Sequence, residues 1–222
     1  VTNDPAPFIH MVTTILLSVL GLVLAFVLFQ MFKPTPKPAI SAAAPQALAD
    51  SSVNLAQARK GDAISIVGAA ADFSDLDFTV DRRSAYEANR RRWTDLSGDF
   101  RGNRVYLEVQ SNPQLELMGL FDPRRLSLPD VGLSEDRLAE LDERQDQSET
   151  IEFEGQRFNY HSSREVGFFE NETGEGEGLY RWLFRDTKSA RLICVEKWEG
   201  QPFDVRLAVR VNPSDVTVYR AA

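Results

Sequence analysis

Residues 8–32, FIHMVTTILLSVLGLVLAFVLFQMF, contain no Asp, Glu, Lys or Arg. At about 1.5 Å of helical rise per residue, such a run is long enough to cross a hydrocarbon core ~30 Å thick. It predicts one transmembrane helix and leaves the rest of the chain to supply any globular core. A cleaved signal peptide needs a basic leading segment and a shorter apolar stretch. The residues before the run, VTNDPAP, hold no Lys or Arg, so a retained anchor is the reading.

Lys33 and Lys37 follow the run directly, whereas Asp4 is the only charged residue before it. The positive-inside rule therefore predicts a single-pass membrane protein with its C-terminal part in the cytoplasm. A periplasmic domain is the alternative. Thr14, Ser18, Gly21 and Ala25 recur at spacings that place them on one stripe of the helix. Small side chains on one stripe let a second membrane helix approach closely.

Residues 33–53 begin KPTPKPAISAAAPQALA, whose prolines predict an extended, semi-rigid spacer. The formal net charge of −8 argues against nucleic acid as partner, because binding a phosphate backbone requires a concentrated cationic surface. The expected partners are the lipid bilayer and integral membrane subunits.

Beyond Asn54 the pattern changes to short alternating segments. Ala63–Val67, Arg104–Val109, Ile151–Phe153, Leu192–Val195 and Val205–Val209 read as strands, separated by Gly-containing polar turns at Gly61, Gly102, Gly155 and Gly200. Leu133–Asp142 reads as a helix, with Ser134 as its N-cap and acids in its first turn. Ser84–Arg92 admits a second helix with a basic end at Arg90, Arg91 and Arg92. The fold class is mainly β (α+β): two similar small β-barrel or β-sheet halves, 54–132 and 148–222, joined by a connecting helix at 133–147.

The similarity of the halves rests on Arg92-Trp93 and Arg181-Trp182, each followed about thirty residues on by a proline, Pro123 and Pro213. The second half also carries Glu154-Gly155-Gln156-Arg157-Phe158, Tyr180-Arg181-Trp182-Leu183-Phe184, Glu196-Lys197-Trp198 and Val211-Asn212-Pro213-Ser214-Asp215-Val216-Thr217-Val218. In these motifs the chain resembles an uncharacterised bacterial β-rich family of unknown function. The resemblance implies a setting near membrane-stress and phage-shock components. It identifies a fold and brings no catalytic residues with it.

The composition is poor in chemistry. The chain has one cysteine, Cys194, inside an apolar run, and beyond Asn54 one histidine, His161. Neither a nucleophile with its base nor a zinc set can be assembled from these, so no enzyme, cofactor or metal is expected. The acidic run Glu170–Gly178 and the group Asp72, Asp75 and Asp77 offer oxygen ligands for calcium, but a solvated hairpin tip explains the run equally well. The basic run Arg90–Arg92, with Arg82 and Arg83 nearby, offers a contact for lipid or an acidic subunit. Trp93, Trp182 and Trp198 are expected in the core.

The function expected from these features is a non-enzymatic single-helix accessory or scaffold subunit of a photosynthetic, respiratory or transport assembly. A membrane-stress adaptor is the first alternative, and a ligand-binding β-barrel or an enzyme the second.

Overall fold

The computed structural model describes residues 55–111 and 113–221. Thr14, Ser18, Gly21, Ala25, Lys33 and Lys37, and with them the membrane helix and spacer, lie outside the described residues. Among the described residues, no helix is long and apolar enough to cross a bilayer.

Twelve strands run along the described chain: β1 (Ala63–Ile66), β2 (Leu76–Thr79), β3 (Arg82–Ala88), β4 (Arg91–Phe100), β5 (Asn103–Gln110), β6 (Glu116–Leu120), β7 (Thr150–Phe153), β8 (Gln156–Phe169), β9 (Glu177–Asp186), β10 (Arg191–Trp198), β11 (Phe203–Val211) and β12 (Val216–Tyr219). Helix α1 (Glu135–Arg144) lies between β6 and β7. The larger sheet has the order β3-β4-β5-β6-β11-β10-β9-β8-β7, and a further antiparallel pairing of β3 with β8 closes eight of its strands into a barrel. Closure removes the exposed edges that an open sheet of this size leaves.

The barrel consists of two four-stranded meanders, β3–β6 and β8–β11. Their first strands pair with each other (β3–β8), as do their last (β6–β11). The two halves expected from the sequence are therefore not two small barrels or sheets; each supplies half of one. The motif used to align them also faces opposite ways. Trp93 packs with Tyr86, Val166 and Leu179 in the barrel, whereas Trp182 lies in the cluster beneath α1. Strand side chains alternate, so a one-residue offset moves a residue to the opposite face.

Residues 84–92 form no helix. Ser84-Ala85-Tyr86-Glu87-Ala88 alternates in β3, and Asn89 and Arg90 turn the chain at φ 50° and 63° into β4. These positive angles at both central residues suit a tight hairpin. The basic run thus sits at a hairpin tip and the start of a strand.

Outside the barrel, two layers cover its apolar outer face. Leu138 and Leu141 of α1 pack with Phe158, Phe184, Ile193 and Val195. The helix begins where expected, with the Ser134 hydroxyl accepting a hydrogen bond from the Arg137 N–H at 3.2 Å. It is held in place by the Trp182 indole N–H donating to the Leu138 carbonyl at 3.2 Å, and by the Tyr180 hydroxyl donating to Asp142 at 2.5 Å.

The second layer is a three-stranded sheet, β12-β1-β2, which packs Ile64, Ile66, Phe78 and Val218 onto Leu96, Leu107 and Val109 of β4 and β5. Gly98 makes that approach possible. A Cβ there would lie 2.3 Å from the Thr79 carbonyl oxygen and 2.7 Å from the Phe78 ring. Gly98→Ala is expected to lower stability by about 2 kcal/mol or more, because backbone must move to admit the methyl group. The midpoint of denaturant unfolding measures it.

Candidate functional site

Because the outer face of the barrel is apolar and covered, its inward positions carry the polar residues. In β10 the alternation sends Ile193 and Val195 out beneath α1 and leaves Leu192, Cys194 and Glu196 on the opposite face. In β9 it sends Trp182 and Phe184 out and Arg181, Leu183 and Arg185 inward. Trp93 and Asp95 of β4, Glu108 of β5 and Arg206 of β11 join them.

At the centre lies Arg181. Its guanidinium donates to Glu108 at 2.9 Å and, through its other amino group, to Glu196. Arg206 approaches the second oxygen of Glu196 at 2.9 Å and Asp204 at 3.1 Å. The Trp93 and Trp198 indoles donate to Glu108 at 2.9 Å and to Glu196 at 3.3 Å. Arg181 also lies over the Tyr86 ring, 4.3 Å from its centroid.

Arg181 and Glu108 are each 6% exposed and Glu196 is fully buried, so these charges have exchanged water for one another. Burial alone pushes the Glu196 carboxyl up, but Arg181 and Arg206 outweigh it and hold it below the usual carboxylate range. Burial likewise opposes the charge on Arg181, and Glu108 with Glu196 keeps it firmly protonated. For Cys194, burial beside these acids pushes the thiol up to about 12, which removes thiolate chemistry at neutral pH.

Asp95 is the exception. Burial, reinforced by Glu108, raises its carboxyl to about 7 against the relief given by Arg181, Arg206 and Arg82.

A cavity of about 270 Å³ opens beside this network, at the end of the barrel where β5 ends, β6 begins and β11 ends. Arg164, Arg181, Arg185 and Arg210 line it together with Glu108 and Glu116. Arg164 stands directly opposite Arg181 in the β8–β9 register, just after an irregularity between Tyr160 and Ser162. Like charges facing across a strand pair are unfavourable unless something else neutralises them. Burial and the nearby arginines lower the basicity of both Arg164 and Arg185. The half-buried His161 is depressed by burial and by the same two cations.

Of the residues singled out from sequence, Arg90, Arg91 and Arg92 lie away from this cavity. Arg90 and Arg91 are exposed. Arg92 stacks 4.8 Å from the centroid of the Phe169 ring and reaches the Glu172 carbonyl at 3.3 Å. Arg82 and Arg83 pair with Glu170 and Glu172 at 2.8 and 2.9 Å, so the acidic run partly neutralises the basic one. Among the described residues, no three His, Cys, Asp or Glu side chains gather as a metal would require.

The family model for a domain of unknown function, DUF4178, matches residues 67–213. The chain belongs to the DUF4178 family. No curated protein and no solved structure matches it. The DUF4178 match runs from just before β2 to just after β11 and so contains the whole barrel. Two of the motifs that read as aromatic fold markers, Tyr180-Arg181-Trp182 and Glu196-Lys197-Trp198, supply the buried charges of the barrel. The sequence reading did not single out Arg181, Glu108, Glu196 and Arg206; the available signal was a charged residue on the same face of otherwise apolar strands, as Arg181 and Arg185 in β9 or Arg206 and Arg210 in β11.

Two predictions follow from the interior. Arg181→Met leaves Glu108 and Glu196 buried without their shared cation and is expected to cost about 3–5 kcal/mol, with partial recovery when Glu108→Gln and Glu196→Gln are added; chemical unfolding reads both. Asp95, with its folded carboxyl raised from 3.8 to about 7, binds its proton more tightly in the folded than in the unfolded chain, so its contribution falls as pH rises through that interval. Asp95→Asn is therefore expected to change little at pH 3, to stabilise by about 1–2 kcal/mol at pH 5 and by about 3–4 kcal/mol at pH 8, read as the pH dependence of the difference between variant and parent.

Proposed function

We propose that this DUF4178 chain is a non-enzymatic accessory subunit, held at a bilayer by residues 8–32 and presenting its barrel to partner subunits on the cytoplasmic side. The observation that carries the reading is the charge-free run at 8–32, long enough to span and followed at once by two lysines. The stripe Thr14, Ser18, Gly21 and Ala25 supports close contact with other membrane helices, and the spacer at 33–53 gives the barrel reach.

The fold supports the same reading. A closed barrel stiffened by buried ion pairs and covered by α1 is a rigid body, suited to packing against a fixed surface. Its β3–β4 hairpin holds Arg90 and Arg91 out to solvent, where an acidic subunit or anionic lipid can meet them.

The test is purification of the tagged full chain from native membranes in mild detergent, with identification of the chains that accompany it. Stoichiometric recovery with integral membrane proteins is expected. Recovery of the chain by itself as a monodisperse species overturns the reading, and partners that appear only under membrane stress replace it with the adaptor role.

A further inference from the structure

We propose that the cationic cavity of the barrel is a binding site for a small dianionic oxyanion of the phosphate monoester class, carrying a short apolar body. This goes beyond the subunit reading and does not depend on it, since every group involved belongs to the barrel.

The arginines of the cavity are unequally used. Arg181 is bound through both of its amino groups by Glu108 and Glu196, and only its Nε is left without a partner. Arg185 has no ion pair or hydrogen bond with another described residue, and its Nε is buried without a partner. Arg164 touches only the face of Trp93, 5.7 Å from the ring centroid. Arg210 makes one long hydrogen bond, to the Ser189 carbonyl at 3.4 Å.

Three guanidinium groups thus line one cavity, Arg164 and Arg185 half-buried and Arg210 exposed, and the Nε of Arg185 is buried without a partner. A buried donor left unmatched is costly, and cations placed close together in a partly desolvated space repel one another. Glu116 faces Arg185 and is the one cavity carboxylate that Arg181 does not already occupy. Arg164, Arg185 and Arg210 against Glu116 leave an excess of two positive charges, which a dianion balances.

The geometry of the donors favours an oxyanion. Planar guanidinium forks match the oxygens of phosphate and carboxylate in pairs. The remaining wall is mostly apolar, with Leu115, Met118, Leu183, Leu192 and Val211 beside Gln110 and Ser162. A bare inorganic ion leaves that wall facing water, whereas a monoester with a short hydrocarbon or aromatic body covers it. The volume of about 270 Å³ suits a ligand smaller than a nucleotide. The phosphate can belong to a soluble monoester or to the headgroup of a lipid such as phosphatidic acid.

The experiment is thermal unfolding of the full chain in neutral detergent at constant ionic strength. Phenyl phosphate, inorganic phosphate and benzoate are titrated in turn, followed by phosphatidic acid in mixed micelles. Phenyl phosphate is expected to raise the midpoint saturably, with at least tenfold tighter half-saturation than inorganic phosphate or benzoate. Arg185→Met and Arg164→Met are each expected to weaken that half-saturation tenfold or more.

Because Arg185→Met removes a partly desolvated cation crowded by Arg164 and Arg210, its own midpoint without ligand is expected to equal or exceed that of the parent, which separates lost binding from lost folding. Competition by phosphatidic acid assigns the site to a lipid headgroup, and failure to compete assigns it to a soluble monoester. The proposal is overturned if phenyl phosphate gives no saturable shift, if benzoate matches it, or if the arginine variants fold and respond as the parent does.

Discussion

A single guanidinium, that of Arg181, makes the interior of this barrel possible. Eight strands enclose a space that side chains must fill, and here the filling includes two carboxylates, Glu196 fully buried and Glu108 nearly so. Without a cation between them, Glu108 and Glu196 would have to protonate or draw in water. With Arg181 bridging them, Arg206 capping the far oxygen of Glu196, and two indole N–H groups donating to the same acids, each charge has a fixed partner. The dependence is mutual, because Arg181 would be as costly alone as the acids are.

A core of this kind is a weak source of stability compared with apolar packing of the same volume. Its strength is directional. Arg181 comes from β9, Glu108 from β5, Glu196 from β10 and Arg206 from β11, so the network ties strands from both meanders in one register. The two largest apolar clusters face outward, where α1 covers β8–β11 and the three-stranded sheet covers β4 and β5, and two smaller ones share the interior with the charges. The molecule thus inverts part of the usual arrangement of a barrel: its two thick apolar layers lie outside the strands, and its buried charges lie within, among aromatic and aliphatic side chains.

That inversion explains which parts were readable from sequence. Alternation located β1, β5, β7, β10 and β11, and the Ser134 cap located α1, because these are local signals. Ser84–Arg92 admits a helix by its local pattern because it is short and ends in three arginines, which mask its alternation; the pairing with β8 that fixes β3 as a strand spans about eighty residues of chain. The internal likeness of the halves was visible, but whether they close separately or together depends on the β3–β8 and β6–β11 pairings, which no local pattern encodes. The site was missed for a related reason. Arg181 and Glu196 sit in motifs dominated by tryptophan and tyrosine, and the aromatic residues drew the reading toward packing.

The measurement that tests the central claim most directly is nitrogen NMR of the arginine side chains in the full chain in detergent micelles. If Arg181 is clamped between Glu108 and Glu196, its guanidinium gives separate, slowly exchanging Nη resonances that persist at neutral pH. A single averaged Nη signal in fast exchange with water, like that of an exposed arginine, would contradict the account.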